Sequence, residues 1–233
     1  MFKYASRGSK QLYSSNRLYY VCAVITLLLS AFSMYLEIVP HASQQISTIS
    51  PIVGAGFGFA GLAVFGSMIL LVFAAVTELL GLYLFAKGDA RFKSLIYIVL
   101  GGLLCLGIGK LIQGPLSIAL SFAGQMLCVI CDLLSVLYLA EILSKAEKKE
   151  ASQYFYKQKK PLIVLICIYL VVLFVCDVCK QTGFSTYINP MMILCSFLLA
   201  LYYHKIMRLM ERACIALGKV KYNPNENNPD FFL

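Results

Sequence analysis

Two acidic residues lie deep inside apolar stretches, where an ionised carboxylate is costly. Glu78 is nine residues from Lys87, and Asp132 is nine residues from Glu141. If Lys87 and Glu141 mark a membrane surface, helices place both acids about 13 Å deep, near the middle of the bilayer. An ionised acid there costs at least about 2.5 kcal/mol, so each must be protonated, paired or in contact with water. The two acids therefore predict a bound proton or cation, with structural hydrogen bonding of neutral acids as the alternative.

Polar and small residues near these acids share helical faces. At about 100° per residue, the segment around Asp132 has one polar arc, and the first apolar segment has an arc of similar width. Such faces are expected to meet inside a helical bundle. We therefore predict a substrate or ion path lined by Asp132, Glu78, Gln125, Ser121, Cys128, Ser135, Glu37 and Ser33.

Two pairs of cysteines have a spacing used in thiol chemistry. Cys128 and Cys131 form one C-x-x-C pair, and Cys176 and Cys179 form another near the predicted outer surface. The second pair resembles that of membrane thiol oxidoreductases of the DsbB and vitamin K epoxide reductase type, which carry further cysteines in an outer loop. The corresponding loop here, 40–57, has no cysteine. We take Cys176 and Cys179 as a candidate redox pair, with packing of small apolar side chains as the favoured interpretation.

Other chemistry finds little support in the sequence. The chain has two histidines, His41 and His204, and neither lies in a metal-binding or catalytic spacing. No phosphate-binding glycine loop is present. We therefore predict no catalytic residue, no metal site and no cofactor, and we assign Tyr202, Tyr203 and His204 to an aromatic belt at the membrane interface.

The elements that position these residues are apolar segments of membrane-spanning length. Apolar residues make up 60% of the 233 residues and charged residues 13%, and mean hydropathy is +0.80. This composition excludes an ordinary water-soluble domain. It predicts an all-α, polytopic integral membrane bundle of six transmembrane helices in a domain spanning 18–217, at about 18–39, 58–86, 92–113, 116–142, 161–179 and 188–208.

Charge alternates between the connections and predicts the orientation. Basic residues cluster in an N-terminal arm (1–17), after the second helix (87–93), in the loop 144–160 and in the C-terminal tail, which we expect to be flexible over 218–233. The positive-inside rule places all four in the cytoplasm, with the chain in the plasma membrane and both termini inside. The formal charge of +9 is then explained by topology and anionic headgroups, so nucleic acid is not expected as a partner.

Three local features refine this picture. The segment 144–160 is rich in helix formers and is expected to extend the fourth helix into the cytoplasm. The stretch 52–60 is rich in glycine, so the second helix begins either with a re-entrant piece or, as we favour, as one long tilted helix. The glycines Gly101, Gly102 and Gly109 share a face of the third helix and predict close packing.

The sequence best fits a small membrane transporter or permease-like protein with a polar path between helices, and it favours such a role over that of an enzyme without deciding between them. One alternative is a non-transporting accessory, sensor or assembly protein whose basic cytoplasmic segments bind a partner or anionic lipid. A membrane thiol oxidoreductase is the second alternative. The expected partners are anionic lipid headgroups, together with either further copies of the chain or a partner membrane subunit.

Overall fold

The computed structural model describes residues 2–38, 51–112, 114–182 and 185–218, with side chains over 4–35, 60–112, 114–179 and 188–218. The described residues form six helices and no strand: α1 (Phe2–Ile38), α2 (Pro51–Ala86), α3 (Arg91–Leu111), α4 (Pro115–Lys145), α5 (Lys149–Thr182) and α6 (Ser185–Gly218). Each helix contains a segment long and apolar enough to cross a membrane. The prediction of an all-α chain with six such helices is confirmed, which is compatible with a multi-pass membrane protein.

The helices pack in chain order around a closed ring. Each helix contacts its neighbours in sequence, α1 packs along both α2 and α6, and α4 also contacts α6. The described connections 87–90 and 146–148 are short, so the helices that they join run antiparallel. The ring therefore encloses an interior to which several helices contribute one face each.

Helix α1 begins far before the predicted boundary at residue 18. Residues of the basic arm 1–17 are helical from Phe2, and Ala5 and Leu12 are buried. A Cβ atom added at Gly8 would lie 2.6 Å from the Phe85 ring of α2, so the two helices approach closely. One face of this segment consists of apolar and small residues, and basic residues lie on the others. Hydropathy averaged over a window is therefore low here and does not reveal the apolar face.

The connection between α4 and α5 differs from the predicted extension of the fourth helix. Helix α4 ends at Lys145, and the polar residues from Lys149 onward begin α5 instead. Glu147 adopts a left-handed φ of 58°, and the Lys148 amide donates to the Leu143 carbonyl at 2.9 Å. This bond and the bond from Glu147 N to Ser144 O are those of a Schellman helix stop, in which glycine usually holds the left-handed position. The sequence lacks that glycine, so the stop was not predicted.

Helix α2 runs continuously through the glycine-rich stretch that left two alternatives open. Its 36 residues correspond to about 54 Å, longer than the hydrocarbon thickness of a bilayer. The long helix, rather than a re-entrant piece, is therefore the conformation found. The segments 39–50 and 219–233, which include most of the predicted outer loop and tail, lie outside the described residues.

The predicted glycine seam lies between α3 and α4. A Cβ atom added at Gly102 would lie 2.9 Å from the Cys128 sulfur and 3.1 Å from the Gly124 carbonyl oxygen. One added at Gly109 would lie 2.7 Å from the Ser121 hydroxyl. The two backbones meet at these positions because no larger side chain separates them.

Arg91 joins the α2–α3 turn to α4. Its guanidinium contacts the Asp89 carboxylate, with Nη2 2.7 Å from Oδ2, and it also pairs with Glu141. The same group lies 4.8 Å from the centre of the Tyr138 ring. Hydrogen bonds from Arg91 hold the pKa of the Asp89 carboxyl below its usual range. Arg91 thus ties the turn to the neighbouring helix as well as adding to the basic character of the loop.

Candidate functional site

A cavity of about 320 Å³ lies inside the ring, lined by residues of α1, α2, α3, α4 and α6. Its polar lining includes Glu78 from α2 and Asp132, Gln125 and Cys128 from α4. Helix α3 contributes the apolar residues Val99, Leu103 and Leu106, and was not expected to take part. This volume lies at the lower end of the range of about 300–1,000 Å³ found for small-molecule sites.

Glu78 is held in the cavity by a tyrosine of the first helix. The Tyr19 hydroxyl donates to Glu78 Oε2 at 2.8 Å, and only 8% of Glu78 is exposed. The two residues are 59 positions apart, so the bond links α1 to α2. A buried carboxyl that accepts a hydroxyl is stabilised without any cationic partner.

Asp132 has a similar arrangement on another helix that lines the same cavity. The Tyr202 hydroxyl donates to Asp132 Oδ2 at 2.8 Å, joining α4 to α6. Tyr202 is 1% exposed, whereas Asp132 is half-buried beside the cavity. Burial places Tyr202 in the interior, so its assignment to an interfacial aromatic belt was wrong.

A third tyrosine connects the two acid and tyrosine pairs. The Tyr203 ring stacks on Tyr19 with centroids 5.1 Å apart, and it meets Tyr202 edge to face at 5.2 Å. Glu78, Tyr19, Tyr203, Tyr202 and Asp132 therefore form one continuous chain of contacts, which we term the acid–tyrosine chain. Among the described side chains that line the cavity there is no Lys, Arg or His.

The first helix adds smaller polar groups to the cavity. Cys22 and Thr26 line it, and each follows Tyr19 on the same helical face. The Thr26 hydroxyl donates to the Cys22 carbonyl at 2.9 Å, as expected for a threonine within an apolar helix. This face of α1 supplies hydroxyl, thiol and phenol groups but no charge.

Comparison with protein-family models, curated proteins and solved structures found no match to this chain.

The structure brings together four of the predicted path residues, Asp132, Glu78, Gln125 and Cys128, as lining of one cavity. Ser121 instead packs against Gly109 at the seam between α3 and α4, because the face predicted as one arc is shared between two neighbours. Ser135 is buried outside the cavity lining, and Ser33 is exposed. The side chain of Glu37 lies outside the described residues.

The candidate redox pair lies on α5, which does not line the cavity. Cys176 is 2% exposed and Cys179 is half-buried. A thiol exchange partner must reach the attacked sulfur, so this burial disfavours Cys176 as the entry point. Among the described side chains, no three His, Cys, Asp or Glu residues gather as metal ligands.

The sequence contained a signal for two of the three tyrosines. Tyr19 precedes Cys22 by three residues and Thr26 by seven, so it belongs to the polar face of α1. Tyr203 shares a face with Ser196 and Ala200 of α6. Tyr202 had no such signal, because its role depends on the crossing of α4 and α6.

Proposed function

We propose that this protein is a membrane transporter whose substrate passes through the cavity and whose acids, Glu78 and Asp132, take up a proton or a cation. The observation that supports this most directly is the placement of both carboxyl groups on one cavity without a basic lining residue among the described side chains. Ionisable groups within membrane helices commonly form proton or ion pathways.

Each tyrosine hydroxyl occupies one oxygen of its acid, Oε2 of Glu78 or Oδ2 of Asp132. A carboxyl group has a second oxygen, which can carry a proton or coordinate a cation. The hydrogen bond is compatible with both the neutral and the ionised acid, so the acid can change state while the tyrosine stays in place. A transport cycle needs a carboxyl group that binds and releases the proton or cation reversibly in this way.

Both termini and the basic connections belong, in this proposal, to the cytoplasmic side of the plasma membrane. The support is the positive-inside rule applied to the segments 1–17, 87–93 and 144–160. Single cysteines introduced at positions 45 and 150 of a cysteine-depleted chain test it. A membrane-impermeant reagent applied to intact cells should label position 45 and not position 150, and the reverse pattern would contradict the orientation.

The transport proposal is tested with purified protein in liposomes that contain a pH-sensitive dye. A proton gradient is imposed, and pools of amino acids, sugars, nucleosides or organic cations are added outside, one at a time. We expect one pool to accelerate proton entry. A parallel series with a sodium gradient and a sodium indicator covers a metal cation as the coupling ion.

Two variants and one control give this assay its specificity. Asp132→Asn and Glu78→Gln should abolish the accelerated entry, because amides keep size and hydrogen bonding but do not titrate. Glu150→Gln, which changes an exposed acid outside the cavity, should leave it unchanged. Absence of coupled flux for every pool with either ion would favour a non-transporting accessory protein. Full activity in both cavity variants would show that the two carboxyl groups do not carry the coupled ion.

A further inference from the structure

A second, smaller cavity lies between α5 and α6, away from the acid–tyrosine chain. Its volume is about 220 Å³, and its polar lining consists of Tyr154 and Gln158 from α5 with His204, Lys205 and Arg208 from α6. Among its described lining residues there is no Asp or Glu. The cavity therefore holds cationic groups from α6 and hydrogen-bonding groups from both helices.

The depth of this cavity matches the boundary between apolar and basic sequence. On α5, the basic stretch ends at Lys160 and the apolar segment starts after it. On α6, the apolar segment ends at His204 and Lys205. Both changes occur where the cavity lies, so in a membrane it faces the layer of lipid headgroups.

Apolar residues continue from the cavity toward the membrane interior. Leu201 and Phe197 precede Lys205 by four and eight residues, on the same face of α6, and are 40% and 47% exposed. A ligand with an anionic head and apolar chains therefore finds cations at one end and an apolar surface at the other.

One polar atom here lacks a partner within the described chain. His204 Nδ1 is shielded from solvent and makes no hydrogen bond to any described residue. A buried polar atom without a partner costs free energy. Because Nδ1 has no accessible surface, a group bound in the cavity that His204 lines can supply that partner only after the His204 ring turns.

Arg208 is partly engaged by an acid outside the cavity. Its Nη1 lies 3.1 Å from Glu211 Oε2, with the two side chains 60% and 36% exposed. Exposed pairs of this kind are weak, so Arg208 can turn toward a stronger anion. The larger neighbouring cavity is less suited to an anion, because Glu147 and Glu150 lie among its lining residues.

From these observations we propose that the cavity between α5 and α6 binds the phosphate of an anionic phospholipid, with His204, Lys205 and Arg208 as headgroup ligands. The acyl chains lie along the exposed apolar residues Leu201 and Phe197 of α6. The phosphate group is chemically shared with soluble phosphate compounds, and the apolar surface beside the cavity assigns the lipid as its source.

Native mass spectrometry of the whole protein with added phosphatidylglycerol or phosphatidylcholine tests the site. The wild-type protein should bind phosphatidylglycerol more tightly. Lys205→Gln should lower that affinity about five-fold, and His204→Gln combined with it should lower it further. Lys205 is exposed, so its replacement leaves folding intact. Lys157→Gln, which removes an exposed lysine outside the cavity, is the matched control and should keep wild-type affinity.

Three outcomes would overturn the proposal. Equal phosphatidylglycerol affinity in the wild type and in Lys205→Gln, or an equal loss in Lys157→Gln, would show general surface attraction instead of a site. In a second arm, inorganic phosphate is added to protein in phosphatidylcholine nanodiscs. Thermal stabilisation that Lys205→Gln removes would assign the cavity to a soluble phosphate and reject the lipid.

Discussion

Tyr19 and Tyr203 stack with their ring planes 18° apart, and this contact joins α1 to α6 beside the cavity. Each ring also leads to an acid, Tyr19 directly to Glu78 and Tyr203 through Tyr202 to Asp132. The two carboxyl groups therefore belong to one packed unit contributed by four helices. Substitutions at its two ends are expected to interact energetically.

The first prediction concerns the tyrosine hydroxyls. Tyr19→Phe and Tyr202→Phe should each lower the free energy of unfolding by about 0.5–1.5 kcal/mol, because each removes a hydrogen bond to a carboxyl. Denaturation of the purified variants in detergent measures this. Tyr97→Phe, which changes a residue that is 74% exposed, is the control.

The same variants carry a test of pairing. In a Glu78→Leu background, which removes the acceptor, Tyr19→Phe should cost less than in the wild type, whereas Tyr97→Phe should cost the same. Strict additivity for Tyr19 and Glu78 would contradict the hydrogen bond as an energetic link.

The second prediction separates two roles of Asp132. Asp132→Asn should keep thermal stability near the wild-type value, because the amide oxygen still accepts from Tyr202. Asp132→Leu should destabilise by about 1–3 kcal/mol, because the Tyr202 hydroxyl is then buried without its acceptor. Thermal unfolding of both variants decides it, and an Asn variant as unstable as the Leu variant would mean that ionised Asp132 is needed for folding.

The third prediction concerns the close approach of α3 and α4. A Cβ atom at Gly124 would lie 2.7 Å from Leu106 and 2.8 Å from the Gly102 carbonyl oxygen, so Gly124→Ala should destabilise by about 1–3 kcal/mol. Gly107→Ala on the same pair of helices is the control, since its Cβ meets open space. Equal unfolding temperatures for the two variants would show that the seam is looser than described.

The fourth prediction is a pH dependence at the α2–α3 turn. The pKa of Asp89 is lowered in the folded protein by Arg91, so its stabilisation is complete above the ordinary pKa of about 4 and is lost as pH falls through the lowered value. Asp89→Asn should therefore cost about 1 kcal/mol at neutral pH, with the difference narrowing in acid. Unfolding curves at several pH values test this, and an identical difference at neutral and strongly acidic pH would contradict it.

The fifth prediction concerns the left-handed residue after α4. Glu147→Gly should raise the free energy of unfolding by about 1 kcal/mol, because glycine adopts a φ of 58° without the penalty of a side chain. Glu147→Ala keeps that penalty and should change stability little. A stabilising Ala variant would point to the charge at this position rather than its backbone.

The helical class and the number of helices were predictable because hydropathy reports directly on what a segment can bury. Helix boundaries were less so, because they depend on packing between segments. The first seventeen residues illustrate this, since Leu12 meets Gly81 of α2 only in the folded bundle. The end of α4 depends on a left-handed backbone conformation at Glu147, which a glutamate residue does not predict.

The acids of the site were found because charge in an apolar segment is conspicuous. Their partners were harder to find, since tyrosine is common both at interfaces and in interiors. The serines were overestimated, because a polar helical face can serve the seam between two neighbours, as Ser121 does, as well as a cavity. Helical periodicity shows which residues share a face of one helix. Which helix that face contacts depends on how all six helices pack.

The contact between α1 and α6 also sets an order of events during synthesis. Tyr203 is translated 184 residues after Tyr19, as their sequence positions require. At about 5–20 residues per second this is an interval of roughly ten to forty seconds. Throughout it, the phenol face of the first helix lacks its stacking partner. The carboxyl cavity is therefore completed only when α6 has been synthesised and the ring closes.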